Sequence, residues 1–304
     1  MALKKMEKVN IFDQIAKNKR NSIFLSIFVF IILSSLVYII VFVFIPELAF
    51  IIVIFAFVVI IVHIYYSYNY GDRIVLKATK AEPADERKHR YLIDTVEGLA
   101  IAAGIPKPKV YVIESDEMNA FATGKDPQHA SIAVTTGLLE NLKRDELEGV
   151  IGHEMSHIRN FDIRFAMIVA VMVGLAAIIS HMFLRSLRYG GIRGSRNDKG
   201  KGFVIMLIIA AILAIFAPIA TRLVQAAISR RREYLADAGG AELTRYPEGL
   251  ASALEKIKNY NKGKMNVSEA MSHIFFIDPN KNPLDQLFAT HPPIDKRIKT
   301  LRSM

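Results

Sequence analysis

The chain contains no cysteine. This absence excludes a disulfide framework, a thiolate zinc site and a cysteine nucleophile, so any metal ion must be held by nitrogen and oxygen ligands. The sequence also lacks a G-x-x-x-x-G-K-[ST] segment, the loop with which many enzymes bind the phosphates of ATP. We therefore expect a protein that works without ATP.

Charged residues are few beside apolar ones, at 22% against 52% of the chain, and the mean hydropathy is +0.28. This balance is typical of a chain with membrane helices, and 304 residues also leave room for one sizeable domain. The net charge is +10. Because the basic residues cluster beside apolar segments, anionic lipid headgroups and membrane topology account for them, and we expect no nucleic-acid partner.

Two apolar runs follow a basic N-terminus formed by residues 1–21. Residues 22–45 are almost unbroken Ile, Phe, Val and Leu, and a second run at 48–67 follows a short Pro-Glu break. Since about 20 apolar residues cross the hydrocarbon core, residues 22–67 are predicted to form a transmembrane hairpin. A cleaved signal peptide is the alternative, but the first run is too long and lacks a small-residue cleavage site. The basic residues place both ends of the hairpin in the cytoplasm.

A second apolar pair occupies residues 165–224, where a Gly/Arg/Lys linker at 185–202 separates two further runs. Together with the first hairpin it predicts a helical membrane part of four segments. A full hairpin would carry the basic linker across the membrane, against the rule that basic loops stay in the cytoplasm. The sequence therefore leaves open whether this pair spans, is re-entrant or packs on the soluble domain.

Residues 70–164 lose the apolar character and are predicted to be the first part of that soluble domain. We expect a helix around 83–104 and strands at 109–114 and 130–136. The segment Met118–Gly124 lies between the strands and is read either as an extended edge strand or as a plain loop.

A longer helix is predicted from Arg144, with Asp145 and Glu146 in its first turn, where the helix dipole favours acids. Its apolar residues at helical spacing are expected to face a core. They are Leu147, Val150, Ile151, Met155 and Ile158. Residues 225–304 form the second part of the domain and are helical by pattern, with prolines 247 and 292–293 suited to begin helices. The predicted fold is mainly α with a small β-sheet.

The five residues His153-Glu154-Met155-Ser156-His157 lie inside this helix. Two imidazoles four residues apart project from one face and can bind one metal ion, while Glu154 is turned by about 100° toward a metal-bound water. Zinc in such a site activates the water and polarises a scissile carbonyl, and the glutamate takes and returns the proton. The pattern predicts a zinc hydrolase, although so short a pattern requires supporting residues.

One ligand is still missing, because a catalytic zinc site uses three protein ligands and a water. Glu233 follows the fourth apolar run, and Asp237 lies one helical turn further on. We expect Glu233 to bind the metal and Asp237 to accept a hydrogen bond from a liganding imidazole. His157 and Glu233 lie at similar distances from their apolar runs, roughly 12 to 14 Å along a helix, so one metal ion can reach both. The alternative is a pair of ordinary surface acids beside arginines.

Two groups of residues are candidates for contact with the substrate. His291, with Arg297 in support, is the first choice for stabilising the oxyanion, although a histidine beside prolines also simply begins a helix. An extended peptide is expected to add as a further strand along the segment before Gly124. That segment consists of Asn119, Ala120, Phe121 and Ala122. Without ATP to unfold them, substrates must arrive flexible.

In combination these segments resemble the HtpX family of bacterial membrane-embedded zinc metalloproteases, whose relatives include the eukaryotic CAAX prenyl protease. The resemblance extends over nearly the whole chain. It rests on the N-terminal hairpin, Asn119–Gly124, the His-Glu pentad, Arg232–Asp237 and Thr290–Pro293. It implies a gluzincin-type fold with one Zn²⁺ per chain on His153, His157 and Glu233 and with Glu154 as the base. It also implies that Asp237 supports a liganding histidine and does not bind the metal itself.

The resemblance further implies quality control at the bacterial cytoplasmic membrane, with the active site facing the cytoplasm. Misfolded or damaged membrane proteins would be the substrates, and the bilayer and other quality-control proteins the partners. Two other functions stay open. A non-catalytic membrane scaffold would purify without stoichiometric zinc, and an enzyme for lipidated peptides would prefer prenylated ones. The sequence has four short spans and no obvious large chamber within the membrane. This favours quality control through an open cleft over the processing of one lipidated peptide.

Overall fold

The computed structural model describes residues 49–171, 230–262, 269–279 and 292–304, together with a few isolated positions. Most of the predicted span at 22–45, together with residues 172–229 and His291, lies outside the described residues, so the predictions made for them stay predictions.

Helix α1 (Ala49–Ala78) runs on beyond the second apolar run and leads into the soluble domain. Many apolar side chains in its first half are exposed, among them Phe50 and Phe55. Its last turns instead contribute Val75 and Leu76 to a buried cluster. Within the described ranges, no helix combines the length and the apolar character needed to cross a membrane.

The described strands form one mixed sheet in the order β1-β2-β4-β3. They are β1 (Glu82–Pro83), β2 (Lys109–Ile113), β3 (Ala120–Gly124) and β4 (Ala130–Thr135). β2 runs parallel to β4, whereas β1 and β3 run antiparallel to their neighbours. β3 therefore lies at one edge of the sheet, so the segment before Gly124 is a strand and not a loop.

The described part of the domain also contains helices that follow α1 along the chain. They are α2 (Arg90–Ala103), α3 (Thr136–Asn141), α4 (Arg144–Arg159), α5 (Arg230–Thr244), α6 (Pro247–Tyr260), α7 (Glu269–Ser272) and α8 (Ile294–Leu301). Residues 162–171 are also helical. Pro247 occupies the first turn of α6 and Pro293 caps α8, as predicted. The prediction for α2 began too early, because Pro83 is taken up by β1.

Helix α4 lies at the centre of the domain, between α5 and α6. Its five predicted core side chains are all buried. Both neighbouring helices approach its backbone at glycines: a Cβ on Gly240 of α5 would lie 2.8 Å from the backbone nitrogen of His153, and one on Gly149 would lie 2.6 Å from the backbone nitrogen of Leu250. Only glycine permits approaches this close. The start of α5 is thereby held against the His-Glu pentad.

Candidate metal centre

Three side chains predicted to be ligands come together between α4 and α5. The Nε2 atoms of His153 and His157 lie 3.1 Å apart. The carboxylate of Glu233 approaches them from the facing helix, with Oε2 at 3.8 Å from His153 Nε2 and Oε1 at 3.6 Å from His157 Nε2. All three ligand atoms lie within 4.8 Å of one another.

These spacings fit a zinc ion. Ligands at the usual distance of about 2.1 Å around a tetrahedral zinc are roughly 3.4 Å apart, close to the three distances found here. The Oε2 atom of Glu233 is buried and has no hydrogen-bond partner among the described residues. A buried carboxylate oxygen without a hydrogen bond is costly even with Arg297 Nη1 at 3.8 Å, and a cation bound directly to it would remove that cost.

The distal nitrogen of His153 is held by a buried carboxylate. Asp237 Oδ1 lies 2.9 Å from His153 Nδ1. Arg297 donates two hydrogen bonds to Asp237, from Nε to Oδ2 at 2.9 Å and from Nη2 to Oδ1 at 2.7 Å. All three side chains are almost inaccessible to solvent. This chain of contacts fixes the ring so that its Nε2 faces Glu233. Arg297 also approaches two candidate ligands directly, with Nη2 at 3.5 Å from His153 Nδ1 and Nη1 at 3.8 Å from Glu233 Oε2.

His157 has an equivalent partner that the sequence analysis did not identify. Asp162 Oδ2 lies 3.0 Å from His157 Nδ1, and Asp162 Oδ1 lies 3.8 Å from Nε of Arg232. Helix α4 ends at Arg159, and Phe161 then adopts a left-handed conformation with φ of +60°. This turn precedes Asp162 and brings its carboxylate to the histidine. The signal was an acid five residues after a liganding histidine.

The two imidazoles have different proton affinities. Burial lowers the pKa of His153 to about 4, although the hydrogen bond that its ring donates to Asp237 acts in the opposite direction. Burial also acts to lower the pKa of His157, but its hydrogen bond with Asp162 and the charge of Glu233 outweigh burial and raise that pKa to about 9. A metal ion binding here must therefore displace a proton from His157.

Glu154 lines the same cleft as the three ligands and is almost fully buried. Burial raises the pKa of its carboxyl to about 7, and the neighbouring charge of Glu233 acts in the same direction. His157 and a hydrogen bond from the backbone N–H of Ala122 oppose this shift. A carboxyl group with a pKa near neutrality is well matched to accepting and returning a proton.

The four predicted substrate-binding residues have different positions. Asn119 is buried and holds the backbone of Ile277 by two hydrogen bonds, from its Nδ2 at 2.7 Å and to its Oδ1 at 3.2 Å. The carbonyl of Ala120 accepts a hydrogen bond from the N–H of Phe276 at 2.8 Å. Phe121 is buried in the core. Of the four, Ala122 lines the cleft.

Phe276 is a second residue that sequence reasoning missed. Its ring meets the edge of the His153 ring at a centroid distance of 4.8 Å, and the Cζ atom of Arg297 lies 4.8 Å from the same ring. The Phe276 ring thus shields one side of His153 from solvent and packs against the guanidinium of Arg297. No local pattern around Phe276 marks this role, because its contacts are all distant in sequence.

Comparison with known proteins agrees with this geometry. Residues 86–304 match peptidase family M48. A protein named "Protease HtpX homolog" from Caldanaerobacter subterraneus subsp. tengcongensis is 50% identical over 252 residues, which cover 83% of this chain and 84% of that protein. Another of the same name, from Dictyoglomus turgidum, is 44% identical over 302 residues, covering 98% and 96% of the two chains.

Among solved structures, the crystal structure of S. mikatae Ste24p matches with 23% sequence identity and a TM-score of 0.46 over 93% of this chain. The present chain spans 62% of the length of that protein. The family assignment rests on the sequence matches, and the range matched by the family, residues 86–304, contains all three metal-ligand candidates and Glu154. The chain therefore belongs to peptidase family M48 and is a metallopeptidase.

Proposed function

We propose that this metallopeptidase is a zinc endopeptidase of the bacterial cytoplasmic membrane that cleaves flexible segments of misfolded or damaged membrane proteins. The observation that carries the chemistry is the convergence of His153, His157 and Glu233 within 4.8 Å, with Glu154 in the same cleft. Nitrogen and oxygen donors of this kind suit zinc, and a glutamate beside them suits hydrolysis by water without a covalent intermediate.

A zinc ion bound by these three residues would lower the pKa of a water molecule and polarise the scissile carbonyl. Glu154 takes the proton of the attacking water on its carboxylate and delivers it to the leaving amine. The N–H of Ala122 holds this carboxylate in place. Asp237 and Asp162 keep the two imidazoles oriented throughout.

Strand β3 is the proposed binding edge for an extended substrate. A peptide that pairs with this edge gains backbone hydrogen bonds that do not depend on its side chains. Phe276 already occupies the carbonyl of Ala120, and Glu154 accepts a hydrogen bond from the N–H of Ala122. The peptide would therefore pair with the part of β3 that begins at the carbonyl of Ala122, directly beside Glu154. Such a short edge favours flexible segments of many sequences.

Membrane attachment is supported by the apolar runs at 22–45, 48–67, 165–184 and 203–224. The exposed apolar side chains in the first half of α1 support the same proposal. The basic N-terminus supports an orientation with the soluble domain in the cytoplasm. Membrane proteins that have lost their fold would present flexible segments at this surface.

The test compares the purified full chain with Glu154→Gln in detergent, without ATP. Zinc per chain is measured by elemental analysis, and proteolysis is followed with casein as a flexible substrate. We expect Glu154→Gln to keep stoichiometric zinc while its turnover falls by about 10² to 10⁴, because the ligands survive and the base does not. Glu248→Gln is the matched control, since Glu248 is exposed and pairs with Arg302 far from the cleft.

Near-normal cleavage by Glu154→Gln would contradict the role of Glu154. Wild-type protein that purifies without zinc, does not gain activity when zinc is added and cleaves no casein would instead favour the scaffold alternative. A strong preference for prenylated over unmodified peptides would replace the proposed substrate class and leave the hydrolytic chemistry intact.

A further inference from the structure

Two cations meet one aromatic ring where the apolar part of α1 gives way to the soluble domain. The Nζ of Lys125 and the Cζ of Arg164 each lie 5.7 Å from the ring centroid of Tyr68. Arg164 also lies 5.1 Å from the ring of Phe161, and its Nε donates a hydrogen bond to the carbonyl of Lys125. We call Tyr68, Lys125 and Arg164 the Tyr68 cluster.

The Tyr68 cluster has two positive charges but no carboxylate within 4.0 Å in the part of the chain that the structure describes. Lys125 Nζ donates to the side chain of Asn69 at 2.8 Å, and that group is neutral. The adjacent Asp126 is bound to His129 at 2.6 Å. Both cations are half-buried. Like charges repel each other more strongly as they leave water. Binding of an anion beside the two cations is therefore favoured.

The neighbouring turns of α1 have the composition of a membrane interface. Tyr65 and Tyr66 are 67% and 53% exposed. The rings of Tyr66 and Tyr70 lie 4.8 Å apart, and the Cζ of Arg73 lies 5.3 Å from the Tyr70 ring. Tyrosines with basic residues at the end of an apolar stretch are typical of the headgroup level of a bilayer.

We propose that the Tyr68 cluster binds the headgroup of an anionic phospholipid. Its acyl chains would lie against Val58, Ile61 and Tyr65, which precede Tyr68 at helical spacing and are exposed. The site extends the proposed membrane attachment and uses no residue of the metal centre. Among the described residues the two cations have no counter-ion, so they favour a ligand with a net negative charge. The site is therefore expected to distinguish phosphatidylglycerol from zwitterionic phosphatidylcholine.

The chain has no tryptophan, so Tyr68→Trp introduces a single fluorophore that also keeps an aromatic face for both cations. The full-length variant in detergent micelles is titrated with brominated phosphatidylglycerol or brominated phosphatidylcholine, and quenching of the tryptophan reports lipid at the cluster. We expect stronger quenching by phosphatidylglycerol. Adding Lys125→Gln and Arg164→Gln should weaken that binding by about thirtyfold, because each cation is expected to strengthen it by slightly more than fivefold.

The matched control carries Arg90→Gln and Lys107→Gln, which remove the same charge from exposed residues that pair with Asp94 and Glu97. It should bind phosphatidylglycerol as before. The charge-keeping pair Lys125→Arg and Arg164→Lys should retain the preference, and thermal unfolding establishes that each variant is folded.

Equal quenching by both lipids, or an unchanged preference after removal of the two cations, would overturn the proposal. Displacement of phosphatidylglycerol by millimolar inorganic phosphate would also overturn it, because the ligand would then be a free anion. Quenching by neither lipid would mean that the chain does not enter lipid at all, which contradicts membrane attachment itself. None of these outcomes depends on zinc or on peptidase activity.

Discussion

At the scale of single residues, each histidine proposed to bind the metal is oriented by an acid that is not itself a candidate ligand. Asp237 could be anticipated, because it lies one helical turn after Glu233 on the same helix and the spacing alone brings the two together. Asp162 could not be anticipated in the same way. Its position depends on the left-handed Phe161, and a single backbone angle beyond a helix end has no periodic signal in the sequence.

Asp162→Asn is expected to weaken zinc binding at pH 9 by about 10- to 100-fold, because the amide no longer strengthens His157 as a ligand. In the wild type the pKa of His157 is raised to about 9, so zinc competes with a proton below that pH and its affinity rises as the pH rises toward 9. The variant should show a shallower rise, since its His157 binds a proton less tightly.

Zinc affinity measured by competition with a chelator between pH 6.5 and 9 gives both quantities. Asp295→Asn serves as the control, because Asp295 lies on α8 and pairs with Lys258 away from the metal centre. A variant whose affinity and pH dependence equal those of the wild type would show that Asp162 does not position His157.

At the scale of elements, the predictions succeeded where the signal was local and failed where distant pairing decided the structure. Helix α4 and strand β2 were placed closely, because each has the apolar spacing of its type. The start of α2 was misplaced because Pro83 pairs with Tyr111, and this contact cannot be read from the sequence around Pro83. The close approach of α5 to α4 likewise depends on Gly240, whose partner lies far away in sequence.

Gly240→Ala is expected to destabilise the domain by about 1 to 3 kcal/mol, because the new methyl group must push α5 away from the backbone of His153. Zinc affinity should fall as well, since Glu233 moves with α5. Gly98→Ala is the matched change on α2, where a Cβ meets nothing within 4 Å, and it should stabilise by roughly 0.5 to 1 kcal/mol.

Thermal unfolding of both variants, with and without zinc, measures these effects. A Gly240→Ala protein as stable as the wild type would show that the two helices adjust without cost. Destabilisation by Gly98→Ala would show that the loss of glycine, and not the helix contact, is responsible.

At the scale of the whole molecule, the metal centre is assembled from parts that are far apart in the chain. α4 supplies two of the candidate ligands and α5 the third, and α8 packs on α5 and α6 and brings Arg297 against Asp237. The sequence predicted that His157 and Glu233 lie at a similar depth, and the structure brings them together. The role of residues 275–277 could not be predicted from the sequence. Their contacts with Asn119 and His153 connect segments that share no periodicity.

Removal of residues 294–304 is expected to abolish zinc retention. The deletion takes away the two hydrogen bonds from Arg297 and leaves the Asp237 carboxylate buried without its counter-charge, which costs about 3 to 5 kcal/mol. Zinc content and resistance to added trypsin measure the outcome. Removal of Ser303 and Met304 alone, both exposed, should leave both properties unchanged. Retention of zinc at wild-type affinity by the longer truncation would contradict this role of α8.

The position of Arg297 on α8 also has a consequence for biosynthesis. The ribosome releases α4 first, α5 later and α8 only after both, so the two histidines and Glu233 are synthesised before Arg297. A nascent chain at that stage lacks the contact that fixes Asp237. The order of translation therefore postpones completion of the candidate metal centre until the last helix has been made.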